Sequence, residues 1–289
     1  MRTLAVLNQK GGVGKTTTAV NLSAALARQG HRVCLVDLDP QAHASLHLAQ
    51  KLSPSARPGC HMYHVFVDQV PLPEICQPAG SGLQVAPAHI DLAAVEVELA
   101  GTAGRELLLR QRLKECQQPW DFVIMDCPPS LGILTLNALC AVQEVILPLQ
   151  PHFLALHGLS KLLETLEVVA VRSNPQLRLS GVLLCMYESN TRLAQEVERD
   201  IREFLDSWRG QNRPWSDARV FQTRIRRNVR LAEAPSFGTS IFDYAPKSPG
   251  ATDYEALAGE FLEHLPPPPE TVSQEAFLQA MQQLSEPVQ

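Results

Sequence analysis

The stretch that decides the fold is "NQKGGVGKTTT", residues 8–18. Its glycines, the lysine after them and the hydroxyl residues that follow have the spacing of a phosphate-binding loop. Glycines let the backbone curl, so that successive N–H groups converge on phosphate oxygens. Gly11, Gly12, Val13 and Gly14 would form that cradle. Lys15 would reach the β- and γ-phosphates, Thr16 would ligate Mg²⁺ through its hydroxyl, and Thr17 would donate to the α-phosphate. "TLAVLN" (3–8) reads as the strand entering the loop, and "TTAVNLSAALARQG" (17–30) as the helix leaving it, with a stop at Gly30. That context turns the positive end of the helix toward the anion. Lys10 is a second cation ahead of the glycines, where it would crowd Lys15 on its own nucleotide. A face-to-face homodimer gives it a target, the phosphates of the other subunit, as an arginine finger in trans neutralises transition-state charge.

Outward from the loop, strand-like and helix-like segments alternate. Apolar runs at 32–39, 82–88, 120–130, 144–151, 178–187 and 239–244 read as strands; helical patterns fill 91–100, 105–116, 155–172, 191–207 and 252–263. The alternation predicts an α/β fold: a single P-loop NTPase domain with a mostly parallel twisted sheet and helices on both faces. Residues 51–82 hold Pro, Gly and His without a clear period and read as an irregular excursion. "PPPPE" (266–270) closes the domain at residue 265. It leads into a tail, 266–289, that is either flexible or one short partner-docking helix with Phe277, Met281 and Leu284 on one side. That tail carries acidic residues and no lysine or arginine, which disfavours a membrane anchor.

Composition narrows the class. In 289 residues, 45% are hydrophobic, enough for a sizeable core, and the net charge is -5, so any nucleic-acid surface must be a local patch. The seven cysteines form no C-x-x-C pair and several sit in apolar runs, which reads as reduced, buried thiols in a cytoplasmic protein. "MRTLAVLN" has no signal-peptide layout, and no apolar run approaches the length of a membrane span.

"KGGVGKTT" (10–17) is the deviant Walker A pattern, and with it the chain resembles the ParA/Soj chromosome-partitioning ATPases of the ParA–MinD group. The likeness continues, in order, through "LVDLDPQAHAS" (35–45), "FVIMDCPPSLGILTLNAL" (122–139), "VILPLQPHFLALHGLSKLLETL" (145–166) and "RNVRLAEAPSFGTSIFDYAPKSPGATDYEALAGEF" (227–261). It spans roughly residues 2–264 and leaves out the excursion and the tail. It implies ATP and Mg²⁺ as cofactors. It also places Met186, Arg226 and Asn228 beside the nucleotide, along with Lys10 and the loop residues. Family members commonly carry a proline at the position of Arg226, near the adenine.

Three carboxylates sit at expected strand ends. Asp39 is read as the last residue of its strand, with Pro40 ending the ladder, and its strand-mate Asp37 points the same way. The family's equivalent of Asp39 orients the attacking water; Asp37 either supports the Mg²⁺ shell or holds loop amides. Asp126, after "FVIM", has the Walker B layout and joins Thr16 and Asp39 as a metal-shell residue, with "PPSLG" resembling the second switch.

Arg213, Arg219, Arg224, Arg226, Arg227 and Arg230 crowd one segment in which only Asp217 is acidic. Such clusters reward backbone phosphates whatever the base sequence. The resemblance implies nonspecific double-stranded DNA binding by the ATP-bound dimer through Arg192, Arg219, Arg224, Arg226, Arg227 and Arg230. Many relatives carry a DNA-gripping arginine where this chain has Asn190. The expected function is a DNA-dependent, nucleoid-associated positioning ATPase. A ParB-type partner stimulates hydrolysis, and the start of the chain at its first strand favours the chromosomal over the plasmid type. The alternatives are a positioner of a protein assembly and a MinD-like regulator recruited to membranes, the latter opposed by the acidic tail.

Overall fold

The computed structural model describes residues 1–152 and 155–264. Among them nine strands form one sheet: β1 (Arg2–Val6), β2 (Val33–Asp37), β3 (Gln77–Pro78), β4 (Leu83–Ala86), β5 (Phe122–Asp126), β6 (Glu144–Leu149), β7 (Arg178–Tyr187), β8 (Arg219–Val220) and β9 (Ile225–Arg226). The order is β3-β4-β2-β5-β1-β6-β7-β8, with β9 also paired to β7. Every pairing is parallel except β3 with β4 at the edge. Strands β2, β5 and β6 are buried along their whole length, as near-continuous apolar runs of a sheet covered on both faces must be.

Alternate side chains of each strand feed two cores. Leu4 and Val6 pack with Val20, Leu22 and Leu26 of the helix Lys15–Arg28 and with Tyr254, Leu257 and Phe261 of the helix Pro249–Glu263. Ala5 and Leu7 face the other way, toward Leu109 and Leu113, Leu139 and Leu162. Each fully buried leucine contributes about 1.5–3 kcal/mol relative to exposure, which fixes the glycine loop against the sheet edge. The register sets Val6 opposite Asp126 and Asp126 opposite Asp37, so the loop and two carboxylates emerge at the same edge.

Three expectations are corrected. "TSIFDY" is not a strand: Ile241–Tyr244 is a short helix, begun by Ser240, whose hydroxyl donates to Asp243 (3.1 Å). Serine with an acid three residues on is a helix-start signal that outweighs the β-branched residues. The excursion is also more ordered than its composition suggests, holding the short helices Met62–Phe66 and Leu72–Ile75 and the edge strand β3. Strand β2 ends at Asp37, two residues before Asp39, because the Asp39 amide donates to Asp37 Oδ1 (3.1 Å) and leaves the ladder. The expected tail, 266–289 with Phe277, Met281 and Leu284, lies outside the described residues.

Candidate nucleotide-binding and catalytic site

The glycine loop leaves β1 and enters the helix Lys15–Arg28 through Gly14, at φ 97° and ψ 21°, a conformation that side chains rarely adopt. No side chain caps this helix, so its first amides point out of the N-terminus as an anion cradle. A cavity of about 910 Å³ opens in front of it. Gly11, Gly12, Gly14, Lys15, Thr16 and Thr17 form one wall; Asp39 to Gln41 and Pro128 to Ser130 form the loops facing it. Met186, Arg226 and Asn228 also line the cavity. Val13 is buried and supplies backbone to the loop, not wall. Met186 sits at φ 51° and Ala42, in the loop with Asp39, at φ 54°. Strained non-glycine backbone of this kind persists where a site demands it.

Lys15 is 7% exposed, and its Nζ donates to the Lys10 carbonyl (3.1 Å). Burial lowers its pKa, against the pull of Asp126 and Asp39. Its neighbour Lys10 is exposed, and its Nζ lies 2.8 Å from His152 Nε2, outside the wall of its own cavity.

The three carboxylates have different surroundings. Asp37 is fully buried and satisfied: Oδ2 accepts from the Ser45 amide (2.8 Å) and hydroxyl (2.7 Å), and Oδ1 from the Asp39 amide. Burial pushes its carboxyl up to about 6, opposed by those hydrogen bonds. That makes it a brace for the Asp39 loop, with both oxygens engaged by that loop and Ser45. Asp39 lines the cavity, its Oδ1 accepting from the Gln41 amide (3.0 Å). Asp126 is wholly buried behind the loop, and neither carboxylate oxygen has a hydrogen-bond partner. Burial, then the charge of Asp37, raises its pKa well above the ordinary carboxylate range. Two orphaned acceptors beside the Thr16 hydroxyl and Asp39 are the hard-oxygen set that suits Mg²⁺, so the residues fit that ion. Thr16 and Asp126, with Asp39, would hold it.

The arginines are less exposed in charge than their segment suggests. Carboxylates meet five of the six: from other elements Glu167 pairs with Arg213, Glu198 with Arg224, Asp253 with Arg226 and Glu188 with Arg227, and within its own helix Glu233 pairs with Arg230. A sequence window that counted Asp217 as the sole offset could not see them. Glu198 is 9% exposed and also binds Arg202. Burial pushes its carboxyl up, but the two guanidiniums outweigh this and hold it at about 2. Arg219 stacks over Phe221 (5.3 Å). Arg226 carries the most embedded cavity-side pair, with Asp253 Oδ1 at 2.7 Å from its Nη2. Arg192 is exposed and makes no ion pair among the described residues. Arg227 and Arg230 pair at the surface with side chains 64% and 57% exposed.

Sequence reasoning missed Ile90 and Ala93, which also line the cavity. They carry no motif. They follow β4, however, and loops after the carboxyl ends of parallel strands line the ligand crevice, a rule that could have found them.

Residues 1–179 match the family described as an AAA domain. Over 262 residues the chain is 46% identical to the chromosome-partitioning ATPase Soj of Thermus thermophilus, covering 91% of this chain and 96% of that one. It is 43% identical over 258 residues to the sporulation initiation inhibitor protein Soj of Bacillus subtilis, covering 89% and 96%. Among solved structures, cobyrinic acid a,c-diamide synthase from Mycobacterium smegmatis, with an ATP analogue and magnesium, superposes with a TM-score of 0.74 at 36% identity, covering 91% and 95%.

Proposed function

The chain belongs to the Soj/ParA family of chromosome-partitioning ATPases, and on that premise we propose that ATP closes two copies face to face into a dimer that holds double-stranded DNA without reading its sequence. It is an ATPase. Partner-stimulated hydrolysis then releases the DNA. The partner is a ParB-type protein, the cargo is the chromosome and the working location is the nucleoid.

Each residue has a task in this reading. The amides from Gly11 to Thr17 and the Lys15 ammonium hold the phosphates. Thr16 and Asp126, with Asp39, would hold magnesium, which when bound would supply charge neutralisation at the phosphates. Asp39 orients water toward the γ-phosphate, and the buried Asp37 brace keeps its loop in place. Lys10, which reaches His152 and not its own cavity, serves the other subunit. Arginine-finger groups of this kind contribute about 10³–10⁵ in rate.

The observation that carries the coupling is the path of one short segment. Arg226, Arg227 and Asn228 line the nucleotide cavity, and Arg230 is exposed two residues later. The Asn228 side chain accepts from the Arg230 amide (2.8 Å) and so ties the cavity wall to the helix Val229–Glu233. A nucleotide that shifts Asn228 therefore shifts the outer arginines. The experiment is fluorescence polarisation with a random-sequence duplex under ATP, ADP and no nucleotide. The reading expects binding with ATP and little in the other two states; equal affinity in all three would sink it. ATP-driven dimers that bind no DNA in any state would favour the positioner of a protein assembly.

A further inference from the structure

A second constellation lies in the segment that the nucleotide chemistry does not use. The sequence "CHMYH" (60–64) opens the helix Met62–Phe66, and "HID" (89–91) follows β4. Chain topology brings them together, because the Met62 amide donates to the Pro87 carbonyl (2.9 Å). His61, His89 and Asp91 then offer one ligand atom each, all within 4.8 Å of one another.

We propose that His61, His89 and Asp91 form a binding site for one divalent transition-metal ion of the Zn²⁺ class. Two imidazoles and a carboxylate are the donor set such ions favour over Mg²⁺, which prefers oxygen alone. The spacing also fits. Ligand bonds of about 2.0–2.1 Å at tetrahedral angles put donor atoms about 3.3 Å apart. His89 Nδ1 lies 3.0 Å from Asp91 Oδ2, and His61 Nε2 lies 3.7 Å from the same oxygen, on either side of that value. The His61 and His89 rings stand 4.7 Å apart, tilted by 34°, around one shared carboxylate.

The His61 side is braced before any ion arrives, whereas His89 Nδ1 accepts a long hydrogen bond from the Asp91 amide (3.4 Å) that an ion would replace. The His61 ring is 12% exposed and meets the His64 ring edge-on at 4.3 Å, while the His61 amide donates to His64 Nδ1 (3.1 Å). The His61 side chain caps the helix by accepting from the His64 amide, and its Nε2 faces Asp91 Oδ2 (3.7 Å). The fourth position opens to solvent, since the His89 and Asp91 side chains are 54% and 56% exposed. An ion here would tie residue 61 to residues 89–91. Ile90 and Ala93, which line the nucleotide cavity, sit directly on that clamp.

The test is Zn²⁺ titration by calorimetry on the full chain with Mg²⁺ and a non-hydrolysable ATP analogue present, so that the phosphate-loop oxygens are engaged. Co²⁺ serves as a spectroscopic probe of the same site. The expected result is one Zn²⁺ per chain and visible Co²⁺ bands. Affinity should fall at least about tenfold, the loss seen even for outer-shell partners, in His89→Ala and in Asp91→Asn. Both side chains are exposed, and the thermal midpoint in chelator shows whether each variant folds as the parent does. Zn²⁺ binding of unchanged affinity in both variants, or none in the parent, would overturn the assignment.

Discussion

Replacing Arg227 and Arg230 together by alanine separates DNA binding from folding. Both are more than half exposed and pair with surface glutamates through one face of the guanidinium, leaving donors for phosphate. With exposed Arg192 they give three available cations per chain, six in a dimer. Six phosphate contacts imply a log–log salt slope of about -5.4, a loss of about 2,000-fold in affinity between 50 and 200 mM salt. Removing two from each chain leaves about two contacts, a slope near -1.8 and a loss of about 12-fold over the same range. Arg224→Ala is the contrast. Its guanidinium is tied to Glu198, which is 9% exposed, so its loss should leave the slope nearly unchanged and destabilise the fold. The cost is about 1–2 kcal/mol, low for a buried charge because Arg224 is over a third exposed and Arg202 still holds Glu198. Polarisation over a salt series with ATP, paired with urea denaturation, reads both effects. A double variant with the parental slope, or an Arg224→Ala protein that loses the slope and keeps its stability, would refute the assignment of surface and structural arginines.

Other consequences are independent of DNA. Lys15→Ala removes the central phosphate cation and should abolish ATP binding, measured by calorimetry; parental affinity would disprove the loop assignment. Asp39→Ala should bind ATP and persist as a dimer on size exclusion with Mg²⁺, because water activation is lost while Thr16 and Asp126 still hold the ion; a monomeric ATP-bound variant would move the hydrolytic role elsewhere. The Glu198 carboxyl, with its folded pKa held at about 2, binds its proton later than the unfolded chain does. Its stabilisation is therefore complete above the unfolded value near 4.5 and is lost as pH falls toward 2. Glu198→Gln should be less stable than the parent at pH 7, with the gap closing by pH 2 in thermal unfolding; a constant gap would contradict this.

Much of the fold was legible because its signals are local. The glycine loop, the apolar runs of β2, β5 and β6 and the helical periods at 155–172 and 191–207 each depend on residues close in sequence. The resemblance pointed to Met186, Arg226 and Asn228, which line the same cavity and which no spacing rule joins to the loop. What stayed hidden depends on long-range partners. For Asp37 the sequence left two roles open, metal shell or loop brace, because Ser45, which it bonds, lies eight positions on. The arginine run looked uncompensated because Glu167, Glu188, Glu198 and Asp253 reach it from other elements. The 239–244 segment failed for a different reason, since its helix-start signal is as local as its β-branched residues and was outvoted by them.

The most direct test of the central claim, that two chains share each nucleotide, is ATP hydrolysis by an equimolar mixture of Lys10→Ala and Asp39→Ala proteins. Each alone is expected to be nearly inactive. In the mixed dimer, one site combines the intact Asp39 of the first chain with the intact Lys10 of the second. Chains mixed before ATP is added pair at random, so about half the dimers are mixed with one working site each, and the account predicts recovery of roughly a quarter of parental activity. Mixed dimers that form and hydrolyse no faster than either variant alone would contradict it.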